Sequence, residues 1–211
     1  MAQGSKLPLW AAATAAGAAV ILLVGGIALS LAIKPAGQQG GGAMRSTGQV
    51  EIGGPFALVD HTGAEFTEAD LAGRPSLIYF GYTFCPDVCP LSLQVMQRAI
   101  DLLPEDQRAD VRPVFVTVDP QRDTVERMAE YVATPGFPPG LVGLTGSPEQ
   151  IEAAKSEFRI YSAKGEEAGE FYLVDHTSLI YLFDENGEFV SAFGHTETPE
   201  AIAQAVDRLL G

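Results

Sequence analysis

Two cysteines in 211 residues are too few to staple a small disulfide scaffold. Acidic side chains are missing from the first fifty positions, because all 27 lie at or beyond Glu51. Basic residues are scarce throughout: beyond Lys34 the chain carries 11 Lys and Arg against 27 Asp and Glu, which argues against a nucleic-acid partner. Disorder is excluded from the other side, since 46% of the residues are hydrophobic. The first 50 residues and the remaining 161 are therefore physically different objects, and the second part is long enough for one ordinary globular domain.

Residues 7–33 contain no charged side chain and are bracketed by Lys6 and Lys34. As a helix rising ~1.5 Å per residue, this run would measure roughly 40 Å, enough to cross a hydrocarbon layer of about 30 Å. It is expected to be a single transmembrane anchor preceded by a short tail, residues 1–6. The alternative is a cleaved signal peptide, but the run exceeds the usual apolar core of roughly 7 to 15 residues. Lys6 on one side is balanced by Lys34 and Arg45 on the other, so the positive-inside rule does not fix the orientation. Residues 34–50 are Gly-rich and polar with no periodic apolar positions, and read as a flexible linker. A folded domain over residues 51–211 would then stay near the bilayer.

Within that domain, residues 56–66 have strand, turn and strand character, an opening hairpin. Pro75-Ser-Leu-Ile-Tyr-Phe-Gly81 is a continuous apolar run expected to be a strand buried on both faces. Leu93, Met96, Ile100 and Leu103 recur at helical spacing until Pro104, and residues 114–118 follow as a strand. Asp123 with Glu126 marks a helix start, as does Ser147-Pro-Glu-Gln150. Residues 178–183 and 188–193 flank Asn186-Gly187 as a closing hairpin, and a last helix begins near Thr198-Pro199. Strands alternating with helices and ending in a hairpin plus helix indicate an α/β sheet with mixed pairing. The run 165–170 reads as a solvated loop.

The informative stretch is Gly81-Tyr-Thr-Phe-Cys85-Pro-Asp-Val-Cys89-Pro90, at the carboxyl end of a buried strand and the entrance to a helix, where open α/β sheets form sites. If the segment is helical from Cys85 onward, sulfurs four residues apart converge on one face. A helix amino terminus also favours thiolate over thiol. Two thiolates are too few for a closed structural zinc site. A soft ion fits better: copper(I) prefers thiolate, and an added imidazole would let the site hold copper(II). His61, His176 and His195 are the three candidates for that imidazole. His61 sits in the turn of the opening hairpin, His195 follows the last strand, and His176 lies between two apolar runs where a loop would leave the sheet. The competing reading of the cysteines is a pair of small buried hydrophobes. The Gly, Pro and Asp around them make a poor core segment and a good turn.

These residues resemble the Sco family (SCO/SenC), membrane-tethered copper-binding proteins with a thioredoxin-like fold. The resemblance rests on the cysteine stretch, Val118-Asp-Pro-Gln-Arg-Asp-Thr124, Gly143-Leu-Thr-Gly-Ser147 and Val174-Asp-His-Thr177. It implies copper ligation by Cys85, Cys89 and His176, and Asp87 or Asp175 beside these ligands is expected to orient the site. It also implies a role in assembling the dinuclear copper centre of cytochrome c oxidase subunit II, with the domain on the periplasmic side of the inner membrane. Other periplasmic copper chaperones or thioredoxin-like reductants are further candidate partners. The family divides between copper delivery and thiol-disulfide reduction, so Cys85 and Cys89 would be the redox pair if the protein is an oxidoreductase. A peroxidase resembling peroxiredoxins is a weaker alternative, because Thr83-Phe-Cys85 lacks the Thr-x-x-Cys spacing. Asp119, Arg122 and Asp123 suggest a helix cap and a local ion pair.

Overall fold

The computed structural model describes residues 51–165, 172–194 and 196–211. The anchor expected at 7–33, the linker at 34–50, most of the acidic run 165–170 and His195 lie outside them. Among the described residues, no helix is long and apolar enough to cross a membrane.

Among the described residues nine strands form, in the order β1 (Ala57–Asp60), β2 (Glu65–Thr67), β3 (Ser76–Gly81), β4 (Arg112–Thr117), β5 (Val142–Thr145), β6 (Ser162–Lys164), β7 (Val174–His176), β8 (Leu179–Phe183) and β9 (Phe189–Gly194). The helices are α1 (Val88–Asp101), α2 (Val125–Val132), α3 (Pro148–Glu157) and α4 (Pro199–Leu210). Seven strands make one sheet in the order β2-β1-β5-β4-β3-β8-β9, while β6 and β7 pair only with each other as a separate ribbon. β3, β4 and β5 run parallel, whereas β1 and β8 join them antiparallel. Mixed pairing of this kind agrees with the sequence reading, and the architecture is thioredoxin-like.

β3 lies inside the sheet, and all six of its residues are buried. Ile78 and Phe80 on one face meet Phe158, just beyond α3, and Leu144 of β5. Tyr79 on the other face stacks with Phe115, which leans on Tyr131 of α2. The unbroken apolar run thus reflects two covered faces. In α1, Cys89, Leu93, Met96 and Ile100 form a buried stripe at helical spacing. Each large apolar member contributes roughly 1.5–3 kcal/mol by leaving water. Pro90 is tolerated because the first four backbone N–H groups of a helix have no partner within it.

Both predicted hairpins form, β1 with β2 and β8 with β9, and Gly187 of the second turn takes a φ of 76°. Ser147 and Gln150 cap α3 reciprocally, as their spacing predicts. α2 starts differently: Thr124 is the cap and accepts the Arg127 backbone N–H, leaving Asp123 for another task.

Candidate metal centre

The sheet delivers the cysteine loop at the carboxyl end of β3. Its last residue, Gly81, lets the backbone approach the sulfur, because a Cβ there would stand 2.7 Å from Cys89 Sγ. α1 begins at Val88, so Cys85 precedes the helix and the condition of a helix running from Cys85 is not met. A turn brings the pair together, closed by the Cys85 N–H donating to the Tyr82 carbonyl at 3.1 Å. The Asp87 side chain makes no capping bond at this helix start. The Cys89 N–H instead donates to Cys85 Sγ at 3.4 Å, placing the sulfur where a capping oxygen would usually sit. Its hydrogen bond with Cys89 pulls the Cys85 thiol down to about 4, against the opposing effect of burial. The hydrogen bond to Cys85, together with burial, pushes the Cys89 thiol up. One proton is thus kept on the deeper sulfur, which is fully buried.

His176 ends β7, paired with Ser162 across the ribbon. Its Nε2 lies 3.4 Å from Cys89 Sγ, and its Nδ1 lies 3.0 Å from the Thr177 carbonyl. A carbonyl only accepts, so Nδ1 carries the proton and Nε2 presents a lone pair toward the sulfurs. The Tyr79 and Tyr82 rings stand edge-on to the imidazole at 6.1 and 5.8 Å and wall its position. The ligand atoms of Cys85, Cys89 and His176 all lie within 4.8 Å of one another, and no other metal-ligating cluster occurs among the described residues. Two sulfurs and one nitrogen, with both cysteines buried and His176 half-buried, suit a soft ion that accepts low coordination.

The remaining site residues are placed apart. Asp87 and Asp175 are exposed, and the imidazole Nδ1 lies against the Thr177 carbonyl. His61 accepts the Gly143 N–H on Nδ1 at 3.2 Å, tying the opening hairpin to β5. Asp123 is fully buried and accepts from the Thr83 backbone N–H at 3.0 Å and from the Thr83 and Thr117 hydroxyls, both at 2.6 Å. The expected cap is therefore a brace under the cysteine loop. Sequence spacing could not reveal it, because its partners lie forty residues upstream and on β4.

A model of the SCO1/SenC family matches residues 44–211. The SenC protein of Rhodobacter capsulatus is 40% identical over 197 residues, covering 92% of this chain and 88% of that protein. The mitochondrial SCO1 homolog 1 of Arabidopsis thaliana is 43% identical over 161 residues, covering 76% of this chain. The chain spans about half (48%) of that longer relative. Among solved structures, Bradyrhizobium japonicum ScoI with copper bound is 42% identical with a TM-score of 0.69. That match covers 75% of this chain and 99% of the other. The family match begins before the domain and runs to the last residue, and on that extent the chain belongs to the SCO1/SenC family.

Proposed function

We propose that this protein is a membrane-anchored copper metallochaperone that assists assembly of the dinuclear copper centre of cytochrome c oxidase subunit II. Cys85 and Cys89 supply sulfur and His176 supplies nitrogen to copper(I) and copper(II). The carrying observation is the convergence of three ligand atoms within 4.8 Å from segments 87 positions apart. A copper-bound relative of the same fold supports the choice of ion. Residues 7–33 hold the domain at the periplasmic face of the inner membrane, and residues 34–50 give it reach toward a partner in the same bilayer. The depressed Cys85 thiol keeps a sulfur anionic at neutral pH, the form that binds a soft ion.

Anaerobic dialysis against copper(I) tests this reading. The native chain is expected to retain one equivalent, with X-ray absorption counting two sulfurs and at least one nitrogen in the copper(II) form. Cys85→Ala is expected to lose tight binding. Stoichiometric copper(I) on Cys85→Ala would refute the assignment.

The same low-lying Cys85 thiol favours a second reading, a thiol-disulfide oxidoreductase acting on the copper-site cysteines of the same partner. Copper supplementation of cells lacking the gene separates the two. Restored oxidase activity supports delivery, and no response supports reduction.

A further inference from the structure

Among the described residues, His176 stands on a ribbon whose two strands pair with no strand of the main sheet, so contacts beyond the ladder of β8 help to hold it against the cysteines. At the His176 end the ribbon is closed on itself by the Thr177 N–H donating to the Tyr161 carbonyl at 3.0 Å. Four residues before His176, Tyr172 is gripped by Arg122 through two direct contacts and one bridge through Asp119. The guanidinium carbon lies 3.5 Å from the centre of the Tyr172 ring. Nη1 donates to the Tyr172 carbonyl at 3.0 Å. Nε donates to Asp119 at 2.5 Å, and the other Asp119 oxygen accepts the Tyr172 hydroxyl at 2.8 Å. The same guanidinium stands over Phe84, at 4.8 Å, and Tyr82, at 5.6 Å, the residues flanking Thr83 in the cysteine loop. Tyr82 in turn faces the His176 ring.

We propose that Arg122 is a positioning residue that fastens the His176-bearing ribbon to the cysteine loop, clasping Tyr172 on one side and Tyr82 and Phe84 on the other. The inference rests on His176 being a ligand. A planar cation suits this post, because it stacks on aromatic faces and donates in its plane at the same time, which an ammonium does not. Asp119 completes the clasp by bonding Arg122 and Tyr172 together, so the three side chains form one unit. Phe84 is partly exposed because it covers the clasp from outside.

The test uses the full chain and the variants Arg122→Ala, Arg122→Lys, His176→Ala and Arg122→Ala/His176→Ala. Arg122→Ala is expected to weaken copper(II) about tenfold, the lower range for a residue that supports a ligand. Arg122→Lys should fall between it and the native chain. In the His176→Ala background, Arg122→Ala should have no further effect, since a positioning residue acts only through the group it positions. Amide exchange in the metal-free Arg122→Ala protein should accelerate at Val174 and Thr177 while β3 and β4 stay protected, which separates loss of the clasp from general unfolding. An Arg122→Ala effect of equal size with and without His176, or unchanged copper(II) affinity and ribbon exchange, overturns the proposal. If His176→Ala leaves copper(II) affinity unaltered, the ligand assignment fails, whereas ribbon exchange still reports on the clasp alone.

Discussion

Replacement of Gly81 by alanine isolates the contact between the central strand and the deeper sulfur. Two effects of opposite sign compete. Gly81 does not occupy the left-handed region, so alanine fits its backbone, and reduced freedom of the unfolded chain would stabilise by about 0.4–1 kcal/mol. The added methyl, however, would stand 2.7 Å from Cys89 Sγ, 2.9 Å from the Phe115 ring and 3.0 Å from the Tyr79 ring. All three neighbours are completely buried, so none can swing into solvent. Overpacking of a filled core costs about 1–3 kcal/mol, so the steric effect wins and a net loss near ~1–2 kcal/mol remains. At roughly 2–4 °C per kcal/mol for a domain of this size, the melting temperature of the metal-free reduced protein should fall by about 2–8 °C. The displaced sulfur should weaken copper(I) as well, read by competition with a chelator. Thermal unfolding followed by circular dichroism provides the first measurement. A melting temperature equal to or above native, together with native copper(I) affinity, would show that the backbone and Cys89 Sγ do not approach as described.

The cysteine pair also sets a pH dependence in the reduced, metal-free protein. Folding lowers the Cys85 thiol to about 4, so its contribution is complete above the ordinary thiol value near ~8.5 and is lost as pH falls toward about 4. Folding raises Cys89, so its contribution declines as pH climbs past that ordinary value. Urea midpoints compared with a Cys85→Ser/Cys89→Ser variant should therefore differ most near pH 8 to 9, roughly the unperturbed thiol range, and a flat difference would contradict the assignment. Asp123→Ala strands the Thr83 N–H and two hydroxyls in the interior, at about 1–3 kcal/mol for an unpaired buried group, and a loss of about 3 kcal/mol is expected in urea unfolding. A change below about 0.5 kcal/mol, typical of a surface site, would remove Asp123 from its role as a brace.

The elements legible in the sequence are those whose signal is local. β3 announces itself as an apolar run, and the β8–β9 turn as Asn186-Gly187. α1 shows a stripe of Leu93, Met96 and Ile100. Elements governed by distant partners escape a reading of local pattern. The four-residue spacing of the cysteines is compatible with a helix from Cys85, yet the chain turns there, with the Tyr82 carbonyl accepting the Cys85 N–H. Asp123 has the form of a cap, a carboxylate three residues before Glu126, but buried hydroxyls from other segments claim it. The tripeptide Asp-His-Thr occurs twice, at Asp60 and at Asp175, and its two copies make the same point. Asp60 folds back on Thr62 and Ala64 to form a turn, while Asp175 and His176 are drawn out as a strand by pairing with β6. Residue pattern alone leaves three histidines open, and the family resemblance selects the one the fold brings to the sulfurs. Arg122 gives no signal beyond its ion pair, since its aromatic partners lie 38 to 50 positions away along the chain.

The mounting of the ligands gives the proposed handover a direction. The sulfurs are held by the interior of the domain: Cys89 is wedged against Gly81, Cys85 is bonded to the first turn of α1, and Asp123 anchors the loop between them and β3. The imidazole is held by a ribbon outside the main sheet. Departure of a neutral ring leaves no charge uncompensated, whereas a departing thiolate must be protonated or hydrated. On the proposed function, an incoming partner thiolate therefore replaces His176 first and the cysteines last. The order can be read from mixed complexes with a small thiol. Nitrogen should vanish from the copper coordination before either protein sulfur is lost, and early loss of sulfur with nitrogen retained would reverse the sequence.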